Sequence, residues 1–446
     1  MLQDGDTIAA IATPPGNGGV GVIRISGPRA AEIARRLAGK LPKPRYAVFR
    51  HFRDSAAGLI DSGLMLYFPG PASFTGEDVL ELQAHGGRIV LDMLLRRVLE
   101  CGARMAEPGE FSRRAFLNNK IDLVQAEAIA DLITSSTEQA VRSAQQSLQG
   151  VFSQQVSELV DELIELRVFI EAAIDFVDEE IDFLSDGLVA ERIKRLRDRV
   201  RIIQLSAQQG RLLHDGISVV LAGRPNAGKS SLLNALAGYD AAIVAEMAGT
   251  TRDVLRERIQ VDGMPLHIID TAGLRDSDCT IEQEGVRRAQ REIRQADVVL
   301  QLIDASDDSA VPGDLGLPAG ATLVKVFNKI DLIGQAPGML ESEYGVEIRL
   351  SAKTGQGLEL LRAHLKRCAG FSDASENAFV ARRRHVAALL GAEQALANAE
   401  AQMQAAAPEL VAEELRQAQT GLASITGEFG VDDLLGEIFS SFCIGK

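Results

Sequence analysis

The sequence predicts a chain of several domains: an α+β domain at the N-terminus, an all-α helical domain, and an α/β domain inserted into the helical one. At 446 residues, the chain is too long for a single hydrophobic core. Glycine and proline nearly vanish between about residues 121 and 210, where apolar residues recur at helical spacing. From residue 217 to about 368, short apolar runs alternate with helical stretches, which is typical of a doubly wound parallel sheet.

The N-terminal part of the chain carries four short apolar runs that predict strands and one longer pattern that predicts a helix. The runs are residues 8–12, 20–25, 64–68 and 79–82, and the helical pattern covers residues 89–99. A glycine- and proline-rich loop separates the first two runs, which indicates strand, loop and strand. We therefore expect a mixed α+β domain over residues 1–118.

The helical domain is predicted from one apolar stripe and from its return near the C-terminus. The stripe consists of Val156, Leu159, Val160, Leu163, Leu166, Ile170, Ile174 and Val177. This spacing places the apolar side chains on one face of a long helix. The chain becomes helical again from about residue 379. The simplest organisation is a helical domain in two parts, 119–210 and 371–446, around an inserted domain over 215–370.

Composition limits the function. The net charge of −15 disfavours tight, autonomous binding of nucleic acid, although a local basic patch or a basic partner stays open. The chain lacks the pattern of a signal peptide and any apolar run long enough for a bilayer, so we expect a cytoplasmic protein that does not use a membrane. Four widely spaced cysteines fit a reducing compartment and favour neither a zinc ribbon nor a disulfide framework. They are Cys101, Cys279, Cys368 and Cys443.

The segment from Gly223 to Ser230 matches the phosphate-loop pattern G-x-x-x-x-G-K-[ST] and follows a predicted strand. Its glycines let backbone N–H groups turn inward around phosphate oxygens. Lys229 is expected to reach the β- and γ-phosphates, and the Ser230 hydroxyl to hold Mg²⁺. The helix that starts there offers its positive end to the anion.

Three further segments follow in order. The first runs from Asp270 to Gly273, where Asp270 could hold Mg²⁺ through water and the Gly273 N–H could contact the γ-phosphate. Thr250 and Thr251 precede it, and a threonine in that loop can complete the metal shell; our choice is Thr251.

The second and third segments specify the base. Asn328-Lys329-Ile330-Asp331 supplies a carboxylate that accepts two hydrogen bonds from guanine, and adenine would leave buried groups unpaired there. Ser351-Ala352-Lys353 supplies a backbone N–H for the guanine O6. We therefore predict a P-loop (Ras-like) G domain that hydrolyses GTP. The predicted GTP-binding residues are Asn226, Ala227, Gly228, Lys229, Ser230, Ser231, Ala245, Glu246, Met247, Ala248, Gly249, Thr250, Thr251, Asp270, Thr271, Ala272, Gly273, Asn328, Lys329, Asp331, Ser351, Ala352 and Lys353.

Hydrolysis needs a group that orients water and a positive charge for the transition state. Leu274 occupies the position at which Ras-like enzymes carry a glutamine, so another residue must align the water. Glu282 is our candidate. Arg252, Arg275 or a monovalent cation near Asn226 could supply the charge.

Several motifs outside the nucleotide segments carry a resemblance to the bacterial tRNA-modification GTPase family MnmE (TrmE), over essentially the whole chain. The motifs are Ala12-Thr13-Pro14-Pro15-Gly16, Val22-Ile23-Arg24-Ile25-Ser26-Gly27, Phe74-Thr75-Gly76-Glu77-Asp78, Pro108-Gly109-Glu110-Phe111, Arg114-Ala115-Phe116-Leu117-Asn118 and Phe442-Cys443-Ile444-Gly445-Lys446. The resemblance implies a folate-binding N-terminal domain, a helical domain and an inserted G domain. It also implies a homodimer that works with the flavoprotein MnmG, which holds the FAD. Together they would install an aminomethyl or carboxymethylaminomethyl group at C5 of the wobble uridine of tRNA, using a one-carbon unit from a tetrahydrofolate derivative.

The same resemblance implies roles for individual residues. The expected folate contacts are Arg24, Glu81, Lys120 and Lys446. The expected K⁺ ligands are Asn226, the backbone carbonyls of Ala245 and Met247, and Thr250. Glu282 falls on the family's water-orienting glutamate, and Cys443 is the candidate reactive thiol. The alternative prediction is a GTP-dependent switch in ribosome or ribonucleoprotein assembly, which folate binding by the purified chain would disfavour.

Overall fold

The computed structural model describes most of the chain, which forms two compact units. The first unit comprises Met1–Ala130, Val156–Val160 and Thr420–Lys446, and the second comprises Asp131–Gln155 and Asp161–Gln419. The residues outside the description are 1–4, 136, 176–186, 240–255, 271–295, 308–321, 343–344, 372–378, 406, 429–431, 441, 443–444 and 446.

The first unit contains a six-stranded sheet with the order β3-β4-β5-β2-β1-β6. Alternate residues of its strands pack beneath two helices: Ile23 and Ile25 of β2 are buried, whereas Arg24 between them lies on the opposite face. The strands are β1 (Ile8–Ile11), β2 (Gly18–Ser26), β3 (Val48–Arg53), β4 (Leu59–Phe68), β5 (Val79–Gly86) and β6 (Arg104–Met105), and the helices are α1 (Ala30–Ala38), α2 (Arg88–Glu100) and α3 (Glu110–Leu117).

The four predicted strands and the predicted helix of this unit are confirmed. The prediction missed α1, α3, β3 and β6. Strand β3 has the sequence Val-Phe-Arg-His-Phe-Arg, which lacks an apolar run, and it lies at the edge of the sheet, where half of its side chains meet water.

The long helices confirm the all-α prediction. The stripe residues from Val156 to Ile170 are buried on one face of α6. In the second unit, Phe152 stacks on Phe379 with the ring centroids 4.3 Å apart. The helices are α4 (Leu123–Thr134), α5 (Glu138–Leu148), α6 (Val151–Asp175), α7 (Leu188–Asp215), α8 (Lys229–Tyr239), α9 (Ile330–Ile333), α10 (Leu358–Ala369), α11 (Arg383–Gln404), α12 (Pro408–Thr426) and α13 (Asp432–Ser440).

The second unit contains a seven-stranded sheet with the order β12-β13-β11-β10-β7-β9-β8. Its five central strands are parallel, as predicted for an α/β domain. The two edge strands are antiparallel and were missed, because their sequences, Arg-Glu-Arg-Ile-Gln-Val and Gly-Met-Leu-Glu-Ser, lack a continuous apolar run. The strands are β7 (Ile217–Gly223), β8 (Arg256–Val261), β9 (Met264–Asp270), β10 (Val298–Asp304), β11 (Thr322–Asn328), β12 (Gly338–Ser342) and β13 (Gly345–Arg349).

The chain is therefore multidomain, with α+β, all-α and α/β parts. Within the described ranges, no helix has the length and apolar content that a bilayer span requires. The boundaries drawn from the sequence remain a prediction.

Candidate functional site

The phosphate-loop segment lies between the end of β7 and the start of α8, at the carboxyl edge of the parallel sheet. Asn226 and Gly228 both have positive φ, at 65° and 96°. A Cβ on Gly228 would lie 2.2 Å from the side-chain nitrogen of Asn328, so only glycine fits there. The loop thus reaches the first turn of an 11-residue helix, where backbone N–H groups suit an anion.

Lys229 is folded back over this loop. Its ammonium donates to the carbonyl oxygens of Gly223 at 2.9 Å and Arg224 at 3.1 Å, and the residue is buried. This contact holds a positive charge inside the loop, where phosphate oxygens would meet it. Ser230 and Ser231 follow in the first turn of α8 and are exposed.

Asn328 joins three of the four predicted segments. Its Nδ2 donates to the Ala227 carbonyl of the phosphate loop at 2.9 Å. Its Oδ1 accepts from the backbone N–H groups of Lys329 at 2.8 Å and Ala352 at 2.9 Å. The side chain is almost wholly buried, so these bonds form away from water. The structure therefore brings together segments that lie more than 120 residues apart in sequence.

Asp331 is held by the third segment. The Ser351 hydroxyl donates to Asp331 Oδ1 at 2.7 Å and accepts from the Thr354 N–H at 3.2 Å. Asp331 keeps a partly exposed carboxylate, and Lys353, two residues after Ser351, is exposed. A fixed carboxylate next to a backbone loop can accept paired N–H groups from a planar base.

Asp304 was missed by the sequence analysis. It ends β10 opposite Asn328, and its Oδ2 lies 2.6 Å from the ammonium of Lys329. Ser306 donates to its other oxygen from both backbone and hydroxyl. Burial alone would raise the pKa of Asp304, but the hydrogen bonds from Lys329 and Ser306 outweigh it and lower that pKa. The sequence offered one signal for this residue: Asp304 is an acidic residue at the carboxyl end of β10, the strand next to the one that ends at Asn328.

Several predicted residues lie outside the described part of the chain. Asp270 ends β9 opposite Leu221 of β7, so its backbone reaches the same edge of the sheet as the phosphate loop. The predicted residues that lie outside the description are Ala245, Glu246, Met247, Ala248, Gly249, Thr250, Thr251, Thr271, Ala272, Gly273 and Glu282, together with Arg252, Leu274 and Arg275.

A second candidate site lies in the first unit. Arg24 on β2 and Glu81 on β5 are cross-strand partners, and the guanidinium donates to Glu81 Oε1 at 3.0 and 3.1 Å. The Arg24 guanidinium also lies 5.8 Å from the ring centroid of Phe74 and 5.9 Å from that of Phe111. It donates to the Gly445 carbonyl at 3.4 Å, so the C-terminal motif reaches this point.

The other predicted folate contacts divide between described and undescribed residues. Lys120 is exposed, and its stem packs where a Cβ on Gly76 would lie, at 3.4 Å. It lines a cavity of about 430 Å³ that Phe116 and Glu428 also line. Cys443 and Lys446 lie outside the description.

A cluster of five charged side chains lies behind the loop that carries Phe74 and Gly76. Its centre is Arg114, which donates to Glu77 at 3.1 Å and to Glu110 at 3.0 Å. Arg104 pairs with Glu110 and with Asp6, each at 2.6 Å, and Arg114 also bonds Asp6. Burial would raise the pKa values of Asp6 and Glu110, but hydrogen bonds from the two arginines outweigh it and lower them.

The phosphate loop after a parallel strand, braced by the Asn328 bridge, defines a P-loop protein with a G domain inserted in a helical domain. Comparison with known families then identifies the chain. A family model described as MnmE helical domain matches residues 123–443, and one described as GTP-binding protein TrmE N-terminus matches residues 7–120. The chain belongs to the MnmE (TrmE) family, which confirms the resemblance seen in its motifs.

Solved structures also show similarity. The G domain of the T. maritima FeoB iron transporter matches 34% of this chain and 98% of its own, at 24% identity and a TM-score of 0.26. An Aquifex aeolicus Era variant bound to GDP·AlF4⁻ matches 40% of this chain and 66% of its own, at 24% identity and a TM-score of 0.26. A Sulfolobus solfataricus GTP-binding protein in complex with GDP matches 63% and 76%, at 14% identity and a TM-score of 0.26.

Proposed function

We propose that this chain is a K⁺-stimulated GTPase that modifies C5 of the wobble uridine of tRNA together with the flavoprotein MnmG. The observation that carries the proposal is the Asn328 bridge, because it assembles phosphate-binding and base-binding segments into one pocket. Membership of the MnmE family supports the link to tRNA.

Guanine recognition would rest on Asp331. Its carboxylate accepts from the base N–H groups, and Ser351 fixes its orientation from the side. The hydrogen bond from the Ala352 N–H to Asn328 Oδ1 supports a position of the Ser351-Ala352-Lys353 segment beside the base end of the pocket. Adenine presents an N–H group where guanine has a carbonyl and would leave polar groups unpaired.

Hydrolysis would need Mg²⁺, which suits the oxygen donors expected here. Ser230 and Thr251 would hold the ion, with Asp270 contributing through water, and the ion would neutralise charge on the phosphates. The exposed Ser230 hydroxyl in the first turn of α8 supports this assignment. Glu282 would orient the attacking water.

The K⁺ would bind beside the phosphate loop. Asn226 is exposed in the turn of the loop, where it has positive φ, so its side-chain oxygen would be accessible to a cation. The Ala245 and Met247 carbonyls and Thr250 would complete a shell of oxygen ligands. A cation there would supply the positive charge that Ras-like enzymes take from an arginine.

The second site would hold a tetrahydrofolate derivative, either 5-formyl or 5,10-methylene. Of the two carboxylate oxygens of Glu81, Arg24 donates only to Oε1, and no described residue donates to Oε2. The Oε2 atom can therefore accept from the pterin N–H edge. Lys120 and Lys446 would attract the anionic glutamate tail. Cys443 would contribute a thiol near the one-carbon unit.

The partners would be a second copy of the chain, MnmG and tRNA. Val20, Ile89 and Met93 are 61%, 68% and 45% exposed in the first unit, and the last two share one face of α2. Exposed apolar side chains of this kind favour a homodimer contact. We expect the complex to act in the cytoplasm, with the FAD on MnmG.

The test is reconstitution of the chain with the flavoprotein, tRNA and the folate donor, scored by mass spectrometry of the uridine. Modified uridine should appear with GTP and fall to background with a non-hydrolysable analogue. Equal yields with GTP and the analogue would refute the coupling of hydrolysis to modification.

A further inference from the structure

One short segment of this acidic chain is strongly basic. Residues 35–53 contain seven lysines and arginines and no aspartate or glutamate. Since the whole chain carries −15, the remainder carries −22. So uneven a distribution marks a surface for an anion, because local rather than net charge sets the potential that a partner meets.

The segment lies at one margin of the first unit. It runs from the end of α1 to β3, which is one of the two edge strands of the six-stranded sheet and, among the described residues, pairs only with β4. We call five of its side chains the basic stripe: Lys40, Lys43, Arg45, Arg50 and Arg53. All but Arg50 are exposed. Within the described ranges no carboxylate forms an ion pair with any of the five.

Two aromatic side chains are interleaved with the stripe. Tyr46 is 57% exposed and Phe49 is 58% exposed. The Lys43 ammonium lies 4.6 Å from the Tyr46 ring centroid, so a cation and a free ring face are presented together. Exposed rings beside cations suit unstacked nucleic-acid bases, which stack on the rings while the cations contact phosphates.

Strand β3 also presents Phe49 on the face of the sheet that carries the Arg24–Glu81 site. One row of cross-strand partners runs inward from the edge through Phe49, Leu64, Gln83 and Val22. Cross-strand partners point to the same face of a sheet. Arg24 lies two residues after Val22, and Glu81 two residues before Gln83, so both lie on the face that this row occupies. Three strand spacings separate β3 from β2, or about 14 Å.

We propose that the basic stripe with Tyr46 and Phe49 is a docking surface for the single-stranded loop of the tRNA substrate. This inference rests on the proposed function, because the RNA is the substrate that function requires. The acidic remainder of the chain would keep the affinity modest and strongly dependent on salt.

The experiment measures binding of the full chain to a tRNA transcript and to its anticodon-arm hairpin over a range of KCl concentrations. The charge variant combines Lys40→Gln, Lys43→Gln and Arg53→Gln. Its matched control combines Arg142→Gln, Arg195→Gln and Arg416→Gln, which removes the same charge from exposed positions of the second unit. The ring variants are Tyr46→Ala and Tyr46→Phe.

We expect the charge variant to bind RNA at least tenfold more weakly. The slope of log K against log salt should become shallower by about 2, because each lost phosphate contact contributes about 0.7 to that slope. The control should match the original chain. Tyr46→Ala should weaken binding about tenfold without changing the slope, and Tyr46→Phe should restore it. GTP hydrolysis without RNA should be the same in all variants.

Other outcomes overturn the proposal. The proposal is overturned if the charge variant and its control bind RNA equally well. It is also overturned if the original chain does not bind RNA. In either case modified uridine in the reconstituted system would leave the proposed function standing. Loss of binding to phosphatidylserine vesicles in the charge variant, with RNA binding intact, would assign the stripe to a membrane surface instead.

Discussion

The nucleotide site and the Arg24–Glu81 site are held in place by different forces. At the nucleotide site a neutral, buried amide bonds backbone groups from three segments. Behind the folate candidate, two arginines and three carboxylates cross-link segments up to 108 residues apart. Neutral hydrogen bonds respond little to pH and salt, whereas an ionic cluster responds to both. The two regions should therefore fail under different conditions.

The largest effect should come from the residue that selects the base. Asp331→Asn exchanges one acceptor oxygen for an N–H donor, so GTP should bind at least about 100-fold more weakly and XTP should gain affinity, because the amide N–H matches the C2 carbonyl of xanthine. Calorimetry with both nucleotides measures this. Asp297→Asn, at the opposite end of β10, is the control. Unchanged preference for GTP would remove Asp331 from base recognition.

The Asn328 bridge should come next. Asn328→Ala removes three hydrogen bonds worth about 1 kcal/mol each, so GDP affinity should fall about 100-fold. Asn234→Ala on α8 changes the same residue type at an exposed position and should leave affinity unchanged. If both variants bind GDP equally, the three segments do not depend on the bridge.

These two sites differ in how far the sequence could predict them. Asn328, Lys229 and Asp331 were found because each belongs to a short contiguous motif whose geometry follows from a strand, a turn and a helix. The central parallel strands were found for a similar reason, since buried strands form apolar runs.

The ionic cluster could not be found in this way. Asp6 and Arg114 meet only because the whole sheet brings β1 and α3 together, and no local pattern signals that contact. Strand β3 was missed because an edge strand can carry charged and aromatic side chains on its open face. Asp304 has an ordinary position at a strand end, and only its distance to Lys329 shows its role.

Alkali should separate the two units. The pKa values of Asp6 and Glu110 are lowered from 3.8 and 4.5, so their stabilising contribution is present above those values and is lost as the pH falls below them. In the second unit, hydrogen bonds from His214 to Asp131 and Asp215 raise its pKa from 6.5 to about 9. That contribution is present below pH 6.5 and is lost as the pH rises through about 9.

Calorimetric scans from pH 3 to pH 10, with hydrogen exchange to assign each transition, measure both effects. The first unit should lose stability on the acid side, and the second between pH 6.5 and about 9. His214→Gln should flatten the alkaline side of the second unit's stability curve. A transition of the second unit that stays constant from pH 6 to pH 9 would contradict the His214 assignment.

The smallest expected effect concerns the ion pair between Asp304 and Lys329 at the nucleotide site. Asp304→Asn removes the carboxylate that holds the Lys329 ammonium, so that side chain should sample other rotamers and GDP should bind about fivefold more weakly, as for a partly exposed ion pair of about 1 kcal/mol. Glu347→Gln breaks a similar pair, with Lys325 on the neighbouring strand, and should change affinity little. In the Lys329→Met background the Asp304→Asn substitution should have no further effect, because the two side chains act as one unit. Additive losses in the double variant would mean that Asp304 affects nucleotide binding by a route other than its ion pair with Lys329. The nucleotide site would then depend on the neutral Asn328 bonds without a contribution from this ion pair, in clearer contrast to the ionic cluster of the first unit.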